Sequence, residues 1–405
     1  MKKICLVTST RSEYSILKPL IKILDSDEKI DFRLYVTGMH LAIEFGYTVK
    51  EIENDGFHID KKTEILLSSD TDQSMTKAMA LLLLSSAEYF DETKPDLLIV
   101  LGDRFEIFAI AISAMNQKIP IAHIHGGEIT LGAIDDSIRH SISKMSYIHF
   151  TSTEVYRKRV IQLGEDPKRV FNVGSLAVEQ IVKKKKMKKS DLFHKLNCKY
   201  CLSLSKDTKY GIVLHHPLTL SDHDKLWEMS LILEGLKNFN NEIKNNHSDQ
   251  ISYIFIGANA DSGGRAINNL IKEYCVKNDN FYFVNSFSPD EYQELLRYSE
   301  FLLGNSSSGI IEAPSYGIPV INIGDRQKGR EQADTIYNID LSRDKLVDVM
   351  IYLYKNSSKK SFPNNNPYYK PNTCNKIIAI INETLKSPVN LQKGFYDIQF
   401  DIINY

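Results

Sequence analysis

The chain contains no apolar run of the roughly 18–20 residues that a membrane-spanning helix needs. Its basic opening, Met1-Lys2-Lys3 followed by Ile4-Cys5-Leu6-Val7, meets polar Thr8-Ser9-Thr10-Arg11-Ser12-Glu13 too soon for a secretion signal and reads as a first buried strand. Charge of one sign is also missing. A formal net charge of -1, with 25% of residues charged, argues against a general nucleic-acid binder or a partner with an acidic surface. Cysteine is sparse. The five residues Cys5, Cys198, Cys201, Cys275 and Cys374 are odd in number and scattered, which excludes a disulfide framework and suits a reducing, cytoplasmic setting. Cys198 and Cys201 form a CxxC, but no second Cys pair or Cys/His cluster completes a metal site. A GxxxxGK[ST] sequence is absent, so the chain is not a P-loop NTPase. Neither an internal repeat nor a long low-complexity segment occurs.

What the chain does have is length and a repeated pattern. Its 405 residues, 42% of them hydrophobic, exceed one ordinary core and suit two domains of about 150–200 residues. Short apolar runs ending in Gly, Ser, Asn or Thr recur at 4–9, 32–38, 96–102, 120–127, 147–152 and 170–174. Helical patterns lie between several of them, at 15–24, 72–90 and 105–116. Strand–helix alternation of this kind predicts a parallel sheet covered on both faces. The second half repeats the scheme with candidate strands at 211–215, 253–257, 282–285, 301–304 and 319–324. The expected class is α/β, two Rossmann-like doubly wound domains facing across a cleft. The expected boundaries are 1–178, 190–372 and a C-terminal helix and tail at 373–405 that returns to the first domain. The hinge is expected between about residues 175 and 190, close to the basic run Lys183-Lys184-Lys185-Lys186-Met187-Lys188-Lys189, which reads as a solvated helix or linker.

In open parallel sheets, ligands bind beyond the carboxyl ends of the strands, so the residues there carry the functional signal. After the first strand, Thr8 through Ser15 offers hydroxyls and Arg11 at a helix start, suited either to a phosphate or to an ordinary N-cap. After the third comes Gly102-Asp103-Arg104, a charged pair at a buried strand end. Next are His123-Ile124-His125-Gly126-Gly127-Glu128, whose glycines would let the backbone approach a ligand, and Asp135-Asp136-Ser137-Ile138-Arg139-His140. On a helix, Asp135 and Arg139 are i,i+4 neighbours, as are Asp136 and His140. In the second half the strand ends carry His215-His216-Pro217, Asn259 and Asp261 within 257–264, and Gly304-Asn305-Ser306-Ser307-Ser308-Gly309-Ile310-Ile311-Glu312. That last segment suits a pyrophosphate on Ser306, Ser307 and backbone N–H groups, with Glu312 accepting ribose hydroxyls. Gly324 through Arg330 adds cations, Arg326 among them.

These motifs, in this order and over nearly the whole chain, resemble the hydrolysing UDP-N-acetylglucosamine 2-epimerases of the bacterial sialic-acid pathway, which share the glycosyltransferase-B fold. The resemblance rests on Arg11–Ser15, Val36–His40, Gly102–Arg104, His123–Glu128, Asp135–His140, His216-Pro217, Asn259–Asp261, Gly304–Glu312 and Gly324–Arg330. It implies conversion of UDP-N-acetylglucosamine and water to N-acetylmannosamine and UDP through a 2-acetamidoglucal. It also implies Asp103, Glu128 and Asp135 as acid/base groups, with Asp136 replacing or assisting Asp135. His216 and Arg104 would neutralise phosphate, and Arg11, Ser306, Ser307, Glu312 and Arg326 would hold UDP. Ser15, His125, Asp136, Arg139, Asn259 and Asp261 complete the expected substrate site. No cofactor and no metal are implied, and relatives associate as homodimers or homotetramers. His125 stands where non-hydrolysing relatives and the animal bifunctional enzymes carry Glu, which leaves Glu128 or His125 to do the corresponding work. The nearest rival is the same chemistry on UDP-N,N'-diacetylbacillosamine, as in legionaminic-acid synthesis. More distant ones are a glycosyltransferase, against which the acid-rich 125–140 segment argues, and a non-catalytic nucleotide-sugar sensor.

Overall fold

β1 (Lys2–Thr8) shows why this chain builds parallel sheets: Ile4 and Leu6 enter one core cluster, while the alternate residues Cys5 and Val7 enter another. A strand buried on both faces needs an apolar residue at every position, and only helices packed on both sides satisfy it. The computed structural model describes residues 1–67, 69, 71–216, 224–247, 249–257, 264–356 and 366–399. The remaining strands are β2 (Ile30–Thr37), β3 (Lys61–Thr63), β4 (Leu97–Leu101), β5 (Ile121–Ile124), β6 (Ile148–Thr151), β7 (Val170–Asn172), β8 (Tyr210–Leu214), β9 (Ser252–Ile256), β10 (Phe281–Val284), β11 (Phe301–Gly304), β12 (Val320–Ile323) and β13 (Ile336–Ile339). Two of them, β3 and β13, were not foreseen in the sequence. The first is three residues long with two lysines, and the second is half-exposed throughout, so neither presents an apolar run.

The chain divides into two units. One comprises Met1–Glu128, Asp135–Glu179 and Tyr368–Tyr405, the other Ile129–Ile134 and Gln180–Pro367. The short segment 129–134 falls in the second unit, where Arg330 Nε donates to the Ile129 carbonyl (2.6 Å) and Nη2 to Thr130 Oγ1 (3.1 Å). No change of pattern in the sequence marks this exchange.

The first unit holds a seven-stranded sheet in the order β3-β2-β1-β4-β5-β6-β7, with every pairing parallel. Its order reverses between β1 and β4, where crossovers leave to opposite sides and open a crevice at the strand ends. Helix Thr373–Thr384 inserts Ile377 and Ile381 into the core of this unit. The second unit holds a six-stranded parallel sheet in the order β10-β9-β8-β11-β12-β13, reversing between β8 and β11. Its two faces are again separate clusters: Val213 and Leu303 lie in one, Ile212 and Leu302 in the other. Among the described residues, no helix is long and apolar enough to cross a membrane.

Candidate active site

In the first unit, the reversal point gathers the ends of β1, β2, β4 and β5. Thr10 caps helix Arg11–Asp25 in a reciprocal capping box with Glu13. Glu13 Oε2 accepts from Ser9 N (2.6 Å), Ser9 Oγ (2.9 Å) and Thr10 N (3.2 Å). Burial, and then the charge of Glu106, pushes the Glu13 carboxyl up to about 7. Arg11 points to Glu51, with Nε 3.2 Å from Oε2 and a second bond from Nη2. Ser15 is half-buried on the same helix. The buried His40 ties the turns together: its Nε2 lies 3.1 Å from Thr8 Oγ1 and its Nδ1 2.8 Å from Thr48 Oγ1, and burial drives its pKa down to about 3. His40 is therefore a neutral strut.

Asp103 and Arg104 follow β4. The carboxylate of Asp103 takes a hydrogen bond from Arg139 Nη2, not from its neighbour Arg104. Arg104 turns instead to Glu106, with Nε 3.0 Å from Oε2 and Nη2 3.4 Å from Oε1. Arg139 sits on helix Ile134–Met145, one turn after Asp135 and Asp136. Its Nε and Nη1 are buried and have no hydrogen-bond partner among the described residues. Asp136 Oδ2 lies 3.6 Å from His140 Nε2, the expected i,i+4 pair.

After β5, His123 donates from Nε2 to the Gly102 carbonyl (2.8 Å) and lies 3.1 Å from Ser143 Oγ through Nδ1. Burial holds it at about 3, so it stays neutral and joins the ends of β4 and β5. His125 adopts a left-handed φ of 67° and brings Nδ1 to 3.4 Å from Glu128 Oε1. Ser152 Oγ donates to the same oxygen at 2.9 Å. Glu128, only 2% exposed, therefore sits in a polar pocket of its own. Within the protein, packing alone already calls for glycine at position 127 of the Gly126-Gly127 pair. Gly127 has φ +79°, and a Cβ there would stand 2.4 Å from the Tyr156 carbonyl oxygen. The close approach is backbone to backbone, and Arg159 Nη1 seals it by donating to the Gly127 carbonyl (2.5 Å).

In the second unit, β8 and β11 end side by side. His216 N donates to Asn305 Oδ1 and Asn305 Nδ2 donates to the His216 carbonyl, each at 2.8 Å. The neighbouring His215 turns away, with Nε2 3.4 Å from Glu228 Oε2. The Asn305 carbonyl accepts from Arg326 Nη1 (3.0 Å) and Gln327 Nε2 (2.7 Å), which brings the loop after β12 to the same place. Ser306 caps the short helix Ser307–Ile311 through Ser308 N (3.4 Å). Glu312 follows it, and burial pushes its carboxyl up to about 7, against the charge of Lys184. Asn259, Asp261 and Pro217 lie outside the described residues.

The structure thus gathers Asp103, Arg104, His125, Glu128 and Arg139 in the first unit and His216, Ser306, Ser307, Glu312 and Arg326 in the second. Several participants were not picked out from the sequence. Glu106 is one, although a lone charge in the apolar helix Phe105–Asn116 was a usable sign. Asn305 and Gln327 gave no such sign. Lys184, read as part of a solvated run, is pinned by Asp290 Oδ1 (2.7 Å) and Gln293 Oε1 (3.1 Å). No group of three or more His, Cys, Asp or Glu among the described residues could hold a metal.

Comparison with known proteins gives the family and the fold. The UDP-N-acetylglucosamine 2-epimerase family model covers residues 22–382. A Campylobacter jejuni protein named GDP/UDP-N,N'-diacetylbacillosamine 2-epimerase (hydrolyzing) is 40% identical over 342 residues, 84% of this chain and 85% of that one. The Escherichia coli polysialic acid biosynthesis protein P7 is 39% identical over 406 residues, 98% of each chain. Among solved structures, a Neisseria meningitidis UDP-GlcNAc 2-epimerase bound to UDP-GlcNAc superposes with a TM-score of 0.74 at 17% identity, covering 94% of this chain and 100% of the other. At that identity the likeness speaks for the fold, two parallel-sheet α/β domains of the glycosyltransferase-B type, as expected from the sequence. On sequence and architecture together, the chain belongs to the UDP-N-acetylglucosamine 2-epimerase family.

Proposed function

We propose that the chain is a hydrolysing 2-epimerase that converts UDP-N-acetylglucosamine and water to N-acetylmannosamine and UDP. The observation that carries this reading is the unlike setting of two carboxylates at adjacent strand ends. Asp103 is bound to the cation Arg139, whereas Glu128 is enclosed by Ser152 and His125. Acid/base chemistry on one carbon needs two such groups kept chemically distinct. One carboxylate removes the proton at C2 as the C1–O bond breaks and UDP leaves, giving the 2-acetamidoglucal. Water then adds its oxygen to C1, and an acid returns a proton to C2 on the other face. Asp135, with Asp136 beside it, is the third acid/base group. Arg104 and His216 neutralise the leaving diphosphate. Ser306, Ser307, Arg11 and Arg326 hold UDP, and Glu312 accepts the ribose hydroxyls. The reading places the enzyme in the cytoplasm as an assembly of identical chains, feeding a sialic-acid-type product.

A second substrate, UDP-N,N'-diacetylbacillosamine, is favoured by the names of the Campylobacter relative and of a Legionella pneumophila relative 35% identical over 86% of this chain. The purified chain decides between them by kcat/KM measured on both UDP-sugars. A preference for UDP-N-acetylglucosamine supports the first reading; a preference for the diacetamido sugar replaces it with the second.

A further inference from the structure

Resting on the functional reading above, one buried carboxylate has no role yet. Glu106 is the single charge on helix Phe105–Asn116, and its side chain is 0% exposed. A carboxylate taken fully out of water is retained only where partners compensate its desolvation. Its partner is Arg104, bound through Nε and Nη2 to both carboxylate oxygens in the fork geometry peculiar to guanidinium.

The rest of its surroundings act as walls. Gly38, in the turn after β2, has φ +60°. A Cβ there would stand 2.9 Å from Glu106 Oε1 and 2.9 Å from the Ser9 carbonyl, so only glycine lets that turn close over the carboxylate. Glu13, from the helix after β1, is buried within reach of the Glu106 charge. Three segments that end at the reversal point of the sheet therefore converge on a group whose visible task is to grip one guanidinium. That guanidinium belongs to the residue after Asp103, which is itself gripped by Arg139. The result is two acid–cation pairs in succession, Asp103 with Arg139 and Glu106 with Arg104.

We propose that Glu106 is a positioning residue for the reaction: it fixes the Arg104 guanidinium at the end of β4, so that the cation meets the departing diphosphate already oriented. A donor oriented in advance stabilises developing charge without reorganising when the bond breaks. Glu106 itself touches neither sugar nor nucleotide.

The test compares full-length wild type, E106Q, R104K and the E106Q/R104K double variant. E106Q should lower kcat about 10²-fold, the effect of misplacing an oriented group, while KM and the Kd for UDP stay within about threefold. In the R104K background, E106Q should cost little more, because both changes remove one interaction. A folded E106Q with unchanged kcat, or full additivity with R104K, overturns the proposal. Should E106Q fail to fold, 15N spectra of arginine-labelled wild type decide it. The Arg104 Nε–H signal, assigned through R104K, should exchange slowly with solvent and shift in E106D. Rapid exchange overturns the proposal. Absence of turnover by the wild type on any UDP-sugar is a different result: it removes the functional reading, and with it the role given to Glu106.

Discussion

Replacing Glu165 by Gln should loosen the C-terminal segment of the first unit and cost a predictable amount of stability. Glu165 is fully buried and accepts four hydrogen bonds from three side chains. Lys144 Nζ (2.8 Å) and Lys393 Nζ (2.9 Å) reach Oε1; Lys393 Nζ (2.8 Å) and His149 Nε2 (3.2 Å) reach Oε2. Lys393 also donates to the carbonyls of Lys144 and Ser146, both at 2.7 Å, and so anchors a stretch, 388–399, with no helix or strand of its own. Burial raises the Glu165 carboxyl, but the bonds from His149, Lys144 and Lys393 outweigh it and hold the group down at about 2, from an ordinary 4.5. That depression corresponds to about 3 kcal/mol, reduced to roughly 2–3 because Lys144 is half in water. The folded pKa lies below the unfolded one. The contribution is therefore complete above pH 4.5 and is lost as pH falls towards 2, with more than half gone by about pH 3. Urea denaturation of wild type and E165Q at neutral pH and at about pH 3 measures it, and hydrogen exchange over 388–399 reports the local release. A difference under about 1 kcal/mol at neutral pH, or one that does not shrink on acidification, would refute the reasoning.

Three further outcomes are expected. Asp103→Asn should keep UDP affinity, measured by calorimetry, and lower kcat at least about 10²-fold, since the group lost is an acid/base candidate. Gly127→Ala should lower the thermal midpoint markedly, with a cost of about 3 kcal/mol or more, because a Cβ would stand 2.4 Å from the Tyr156 carbonyl at a φ of +79°. UDP affinity should weaken as pH falls below about 7, where the raised Glu312 carboxyl takes up a proton and ceases to accept both ribose hydroxyls; Glu312→Gln should flatten that dependence in titrations between pH 6 and about 8.

Much of the architecture was legible because it rests on short-range pattern. β4 and β8 are apolar at nearly every position, as β1 is from Ile4 to Val7, and such runs between helical patterns have few other outcomes. β13 was not legible: half-exposed at the sheet edge, it is paired on one side only and carries no such run. The candidate site was legible at the strand ends, since charge at a buried terminus stands out locally. Its pairings were not. Asp103 lies next to Arg104 in sequence yet binds Arg139, 36 residues on, while Arg104 binds Glu106. Such exchanges depend on which helix crosses which strand end, and residue spacing carries no record of that. At Gly127 a positive φ and a carbonyl close by demand glycine on packing grounds, and in the sequence that demand reads the same as one made by a ligand.

The most direct measurement is proton NMR of the purified chain with UDP-N-acetylglucosamine in D2O. UDP and free N-acetylmannosamine deuterated at C2 are expected, with no acceptor other than water. A sugar still joined to UDP, a C2 position that keeps its protium, or turnover only when a second sugar is added would contradict the proposed reaction.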